Sequence, residues 1–395
     1  MPPATSAPVT GPLTGVTVLD LSTVGPAARA TRLLADYGAT VVKVGAVPGR
    51  GPAPTVPPVF AYSAQRAMRR VQLDVRHSDG RAAFLALAAT ADVMVESFRP
   101  GVVDRLGIGF AALRVVNPGI VYCSTSGYGQ TGPRSAWAGH DLNYLAVSGY
   151  LSSSGPRADG GPPLPGATIA DAAAGGMHAA LAITAALFAR RLTGEGTFLD
   201  VSVADGALWL MSLAVDEHLA TGSEPGPGHD VLTGRYACYD TYRTADGRWL
   251  AVAAIEAKFF ANLCRALGCE EWIDRQYDDD AQEQLRSVLA AAFAARDRDA
   301  WVALLSGDDT CVAPVQAVSE IAHDPQFLER AAVVEAKDTD GRIFCQVGAV
   351  LAGMPPVSAP VVVRDPATTD TDDLLEAAGI DRTRIAELRR EGVLA

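Results

Sequence analysis

Leu13-Thr-Gly-Val-Thr-Val-Leu-Asp20, followed by Val24-Gly-Pro26, Leu33-Leu-Ala-Asp-Tyr-Gly38 and Val41-Val-Lys-Val44, decides the fold. Val16, Val18, Leu19 and Leu21 form a short strand rich in branched residues. Val24-Gly25-Pro26 turns the chain, and Pro26 suits a first helical turn, where its missing N–H costs nothing. Ala30, Leu33, Leu34 and Tyr37 recur at helical spacing until Gly38 stops the helix. Val41 to Val44 is the next strand. This β-α-β unit is followed by a strand at 71–75, a helix at 81–91 and strands at 92–96 and 120–124. Strands alternating with helices of this length predict an α/β domain: a parallel sheet with helices on both faces.

Outward from this unit, a long apolar helix is predicted from Asp171 to Arg190-Arg191, where basic residues suit the negative end of the helix dipole. A strand at 197–203 and a helix at 209–219 follow. Thr221-Gly-Ser-Glu-Pro-Gly-Pro-Gly228 then breaks all regular structure and predicts a linker over 221–235. Segments 236–243 and 248–255 flank Ala245-Asp-Gly247, a hairpin signal. Helices at 258–267 and 279–304 and a strand at 313–315 complete a smaller α+β domain, 236–330. The last part, 331–395, is a C-terminal segment whose tail, from Thr371 onward, carries Leu374, Leu375, Ile380, Ile385 and Leu388 and reads as two short helices. The expected domains are therefore 1–220, 236–330 and a C-terminal segment.

The 395 residues are 49% apolar and 20% charged, the balance of an ordinary globular protein with room for two domains. A formal charge of −12 without a basic stripe excludes a nucleic-acid binder. The six cysteines form no Cys-x-x-Cys pair, so they read as small buried apolar residues in a reducing compartment. The first ten residues lack a basic and an apolar signal region, and Glu391 to Ala395 is not a peroxisomal signal, so a cytoplasmic location is expected. Residues 172–189 are apolar enough to suggest a membrane span, but their alanine and glycine content favours a helix buried between layers.

Gly127-Tyr-Gly-Gln-Thr-Gly132 has the spacing of a dinucleotide fingerprint and follows a strand. It fails on context: Pro133-Arg-Ser135 cannot open the apolar helix that a pyrophosphate needs, and the motif is not on the first β-α turn. Gly107-Ile-Gly109 follows a helix instead of a strand. Motifs for serine hydrolases, zinc hydrolases and phosphate-binding loops are absent, and no metal site is expected.

Four segments, Leu13 to Asp20, Leu33 to Thr40, Val95-Glu-Ser-Phe-Arg-Pro-Gly101 and Ser126-Gly-Tyr-Gly-Gln-Thr-Gly-Pro133, resemble the family III CoA-transferase superfamily. Gly139-His140-Asp141, Asp171 with its helix and Ala254-Ile255-Glu256 resemble its α-methylacyl-CoA racemase branch. CoA transferases of the family usually carry an aromatic residue at the position of His140. The resemblance implies a Rossmann-like large domain, a smaller domain, a C-terminal segment returning to the large one, and an interlocked homodimer of ring-shaped chains. It implies an acyl-CoA substrate, no cofactor apart from the coenzyme A of that substrate, and neither nucleic-acid nor membrane partners.

Inverting a stereocentre beside a thioester needs one acid and one base, on opposite faces of the carbon, that exchange roles. The resemblance casts His140 and Asp171 as this pair and Glu256 as a support for His140. It makes Arg99 a residue of the CoA channel, and Arg66 and Arg69 candidates for the adenosine and its phosphates, which arginine forks suit. N–H groups at the start of the Asp171 helix are expected to help an enolate oxygen, and the small residues there to let substrate approach. Plainer readings stand beside these: Asp171 as a helix N-cap, His140 as a loop histidine, Glu256 favouring a helix dipole, the arginines as solvated surface. His178 reads as structural. The chain departs from the family after residue 44, where Gly45 and Ala46 replace an acidic and a basic residue; a usual nucleotide contact is therefore missing, and Arg50 is only a candidate substitute. The expected activity is inversion of a 2-methyl-branched acyl-CoA. The alternatives are CoA transfer through a mixed anhydride at Asp171, and a non-enzymatic CoA-binding protein.

Overall fold

A computed structural model describes residues 10–49, 68–350, 352–354, 360–365 and 367–395. The chain forms two compact units, one of residues 1–150, 164–211 and 324–395, the other of 151–163 and 212–323.

The first unit is built on strands β1 (Thr17–Asp20), β2 (Thr40–Gly45), β3 (Arg69–Gln72), β4 (Val93–Glu96), β5 (Val121–Ser126) and β6 (Phe198–Ser202). They form one sheet in the order β3-β2-β1-β4-β5-β6, and every neighbouring pair is parallel. Order reverses between β1 and β4, as in a doubly wound sheet. Between the strands run α1 (Gly25–Asp36), α2 (Ser78–Ala89), α3 (Val102–Leu106), α4 (Phe110–Val116) and α5 (Asp141–Val147). The chain leaves through α6 (Tyr150–Ser153) and returns to a π-helical segment (Ala170–Met177), α7 (His178–Thr193) and, after β6, α8 (Val203–Leu210).

Alternation along each strand divides the apolar residues between two cores. Val18, Val41, Val93, Val95, Val121 and Cys123 face α1 and α7 through Ala27, Ala30, Leu34, Ala179 and Ile183. Leu19, Val42, Val71, Met94 and Tyr122 face α2 and the C-terminal helices through Phe84, Leu87, Leu375, Ile385 and Leu388.

The second unit holds α9 (Ser212–Thr221), the antiparallel strands β7 (Tyr239–Arg243), β8 (Trp249–Ala253) and β9 (Val312–Pro314), and α10 (Ala257–Leu267), α11 (Gln282–Phe293), α12 (Arg298–Leu305) and α13 (Val318–Ile321). Phe260, Leu263, Leu285, Leu289 and Trp301 fill its core. The chain then re-enters the first unit with α14 (Pro325–Glu329), a three-stranded sheet of β10 (Val333–Lys337), β11 (Ile343–Val347) and β12 (Val361–Val362), α15 (Thr371–Ala377) and α16 (Arg382–Arg390). Asp370 Oδ2 accepts from the Arg70 N–H at 2.9 Å and Asp74 N–H donates to the Val393 carbonyl at 2.9 Å, which fastens the C-terminal segment to the sheet edge.

Several expectations need correction. The units exchange at Met211 and Ser212, not at 220, and 151–163 join the second unit. Glycine and proline mark where a helix must stop, not where contacts between units thin. The helix expected over 279–304 breaks before Asp297, which precedes α12. The sheet of β10 to β12 was not foreseen, because only two of the five β10 residues are buried and β12 is two residues long. The 24 residues Ala170–Thr193, which contain an 18-residue stretch of mean hydropathy 1.6, are long and apolar enough to cross a bilayer. Only one face is covered by the sheet: Met177, Leu181, Phe188 and Leu192 are 58 to 77% exposed. All six cysteines are free thiols; four are buried, but Cys311 and Cys345 are exposed.

Candidate active site

Loops leaving the carboxyl ends of β1, β4 and β5 diverge where the sheet order reverses, and a crevice opens there. It encloses about 460 Å³ and is lined by Val24–Pro26 after β1, Ser97–Pro100 after β4, Thr125–Gly127 at the end of β5, and the chain entering α5. His140, Asp171 and Arg99 all face it.

His140 is an exposed, extended residue immediately before α5. Its N–H donates to Asn143 Oδ1 at 3.0 Å, and its carbonyl accepts from Asn143 N–H at 2.8 Å. The turn is braced by Tyr144, whose hydroxyl donates to the Gly139 carbonyl at 2.6 Å and whose ring packs edge-on against Tyr128 at 5.3 Å. A Cβ on Gly127 would lie 2.6 Å from the Tyr144 ring, and one on Gly139 2.8 Å. These glycines therefore make room for the tyrosine wedge; they belong to no nucleotide loop.

Asp171 is the second residue of the π-helical segment, which begins after Ile169, so it is not the N-cap. Its backbone N–H donates to Asp141 Oδ1 at 2.8 Å, and the Ala172 N–H goes to the Thr168 carbonyl at 2.9 Å. Neither is left for an enolate, which corrects the expected oxyanion donors. Nor do the small residues admit substrate: Cβ atoms on Gly175 and Gly176 would lie 2.4 Å from Pro26 Cβ and 2.8 Å from Arg29 Cβ. α1 fills that space. π-Helical turns are rare and recur at functional sites; here one sets the carboxylate at the crevice.

Burial is the main cause that raises the Asp171 pKa, and the neighbouring Asp141 charge raises it further; Arg29 and His140 pull it back. Arg29 is held beside it by an Nη2 to Thr168 Oγ1 bond of 2.5 Å. The amino end of α1 also faces the carboxylate: a Cβ on Gly25, whose φ of 75° suits glycine, would lie 4.0 Å from Asp171 Oδ2. That end of a 12-residue helix carries partial positive charge.

The other expected residues lie elsewhere or alone. Arg99 is exposed on the crevice wall. Arg69 opens β3 and lies 3.8 Å from Asp370 and 3.9 Å from Asp373, and it does not line the crevice. Arg66 and Arg50 fall outside the described residues. Glu256 precedes α10 in the second unit, where it is exposed and its carbonyl starts the helix; it is not among the crevice residues. His178 is exposed at the start of α7. Gly45 ends β2. Among the described residues no cluster of His, Cys, Asp and Glu is arranged to hold a metal. Asp141, Tyr144, Arg29 and Glu96 were not singled out by sequence reasoning. Glu96 left one signal: an acidic residue closing the apolar strand Val93-Met-Val95.

A histidine and a half-buried carboxylate thus share one crevice of a doubly wound sheet. The chain belongs to CoA-transferase family III, whose family model matches residues 13–368. It is 33% identical over 387 residues to the alpha-methylacyl-CoA racemase of Homo sapiens, covering 97% of each chain. It is 31% identical to the succinyl-CoA:glutarate CoA-transferase of Mus musculus, covering 82% of this chain and 76% of that one. Its fold is similar to the crystal structure of a CAIB/BAIF family protein from Brucella suis, with TM-score 0.73, 26% identity and coverage of 94% and 100%.

Proposed function

We propose that the chain is an acyl-CoA racemase or epimerase that inverts the α-carbon of a 2-methyl-branched acyl-CoA. The observation that carries this reading is that His140 and Asp171 face one crevice while burial and Asp141 raise the Asp171 pKa, narrowing its distance from histidine's ordinary range. One group takes the α-proton, and the C–H electron pair passes into the thioester to give an enolate. The other group delivers a proton to the opposite face, the enolate collapses, and no atom is gained or lost. With the opposite epimer the roles reverse. The positive end of α1 favours negative charge in the crevice. Arg99 serves the CoA moiety. The substrate is the acyl-CoA alone, without a further cofactor.

Similarity to both a racemase and a CoA transferase supports a second reading. There the Asp171 carboxylate attacks the thioester carbonyl, the C–S bond breaks and CoA leaves as thiolate, giving a mixed anhydride. Incubation with a panel of acyl-CoAs in deuterated water, with and without hydroxylamine, separates the two. α-Deuterium in recovered substrate supports the racemase; an acyl-enzyme trapped at Asp171, with no α-label, supports the transferase.

The homodimer belongs to the same proposal. Met177, which ends the π-helical segment, and Leu181, Phe188 and Leu192 on α7 form an exposed apolar stripe, and Leu208 and Trp209 on α8 are 47 and 75% exposed. Such exposed apolar residues suit a face covered by a second copy. Sedimentation velocity at micromolar concentration tests it, a monomer counting against.

A further inference from the structure

Glu96 closes β4 at the point where the sheet order reverses, is 2% exposed, and takes no part in the proton transfer derived above. Its Oε2 accepts the Phe98 N–H at 2.6 Å, the Ser124 hydroxyl hydrogen-bonds its carboxyl, and its own carbonyl accepts from Thr125 Oγ1 at 3.2 Å. Ser97 to Pro100, including Phe98 and Arg99, form one wall of the crevice, and Thr125 lies on its floor. A single buried carboxyl thus ties the ends of two strands to the loop that presents Arg99. We propose that Glu96 is a positioning residue for this loop, and that its ionisation loosens the loop and with it the hold on the CoA moiety. This rests on the reading of the crevice as a CoA-thioester site.

The surroundings explain why a proton matters there. Asp104 on α3 and Tyr122 and Cys123 on β5 face Glu96 electrostatically, and none supplies positive charge. On β1, Asp20 pairs in register with Val95, and its carboxylate is already taken by Lys43 at 2.7 Å and by Ser22 and Thr31. Among the described residues no lysine or arginine forms an ion pair with Glu96. Burial accordingly lifts its pKa to about 7, beyond what the Ser124 and Phe98 bonds recover. Below that pH the carboxyl is neutral and stays buried beneath the loop. Above it the two bonds do not repay the solvation the charge has lost, so ionisation favours any opening of segment 97–101 that lets water reach the carboxylate.

Glu96→Gln keeps the shape and both partners but fixes the neutral state. Binding of CoA itself, followed by calorimetry at pH 6 and pH 8, reads the difference. CoA's terminal phosphate titrates in the same range, so the ratio of variant to wild-type affinity is the quantity that matters. The two proteins are expected to bind alike at pH 6, and the wild type about fivefold more weakly at pH 8. A ratio that does not change with pH overturns the inference and leaves the CoA reading intact; wild-type protein that binds no CoA at either pH overturns both. Hydrogen exchange of segment 97–101 in the wild type, corrected for intrinsic pH dependence, should quicken across pH 7, and exchange that does not quicken overturns the inference even if the variant fails to fold.

Discussion

Asp141 offers the sharpest separation of geometry from charge. Its Oδ1 accepts the Asp171 backbone N–H at 2.8 Å, and its charge raises the Asp171 pKa. Asp141→Asn keeps an acceptor and removes the charge; Asp141→Ala removes both. A hydrogen bond to a charged group contributes about 1.5–3 kcal/mol, and the alanine variant leaves a half-buried N–H unpaired at the residue whose carboxylate must point into the crevice. If that sum is expressed in the transition state, kcat/KM falls by about 10- to 150-fold. For asparagine the loss is smaller, and its signature is a displaced pH profile. Without the neighbouring charge the Asp171 pKa falls, so Asp171 stays ionised to lower pH and the acidic limb moves down. The assay is α-deuterium uptake by a 2-methylacyl-CoA in deuterated water across pH 5 to 9. An asparagine profile that superimposes on the wild type, or an alanine variant no slower than asparagine, would refute the reasoning.

Arg29→Met should act in the opposite sense: losing a cation that lowers the Asp171 pKa moves the acidic limb of the same profile to higher pH, with partial restoration by Arg29→Lys. Gly206→Ala places a Cβ 2.1 Å from the Ala174 carbonyl oxygen, so α8 and the π-helical segment must part; a loss of at least about 1–3 kcal/mol in thermal unfolding and a concurrent drop in exchange rate are expected. The raised pKa of Glu96, about 7 against an ordinary 4.5, means the folded state holds a proton that the unfolded chain releases, so wild-type stability falls as pH rises from 4.5 to 7. At one pKa unit per 1.36 kcal/mol this is about 3 kcal/mol, seen by calorimetry as a wild-type transition declining against Glu96→Gln between pH 5 and 8.5.

The parallel sheet was legible because Val18-Leu19, Val41-Val42 and Val93-Met94 each divide their side chains between two buried faces, and continuous apolar strands read so only in a sheet covered on both sides. His140 and Asp171 were legible only through resemblance; by spacing alone each was a loop histidine or a helix cap. What periodicity could not show was the π turn, which moved Asp171 one residue past the helix start and spent its N–H on Asp141. Gly127, whose fingerprint spacing fails on context, makes room for Tyr144. Glycine content misled at Gly175 and Gly176, which make room for α1, a contact between segments distant in sequence. Arg69 shows the same limit, since its carboxylate partners lie some three hundred residues along the chain, in the returning C-terminal segment.

The central claim is that His140 and Asp171 are the two acid–base groups of a single proton-transfer site. It is tested most directly by α-proton exchange of each separate 2-methylacyl-CoA epimer in deuterated water, with the wild type, His140→Gln and Asp171→Asn. The wild type should label and invert both epimers, and each substitution should cut inversion by about 10²–10⁴-fold. Inversion at the wild-type rate by either variant would contradict the claim.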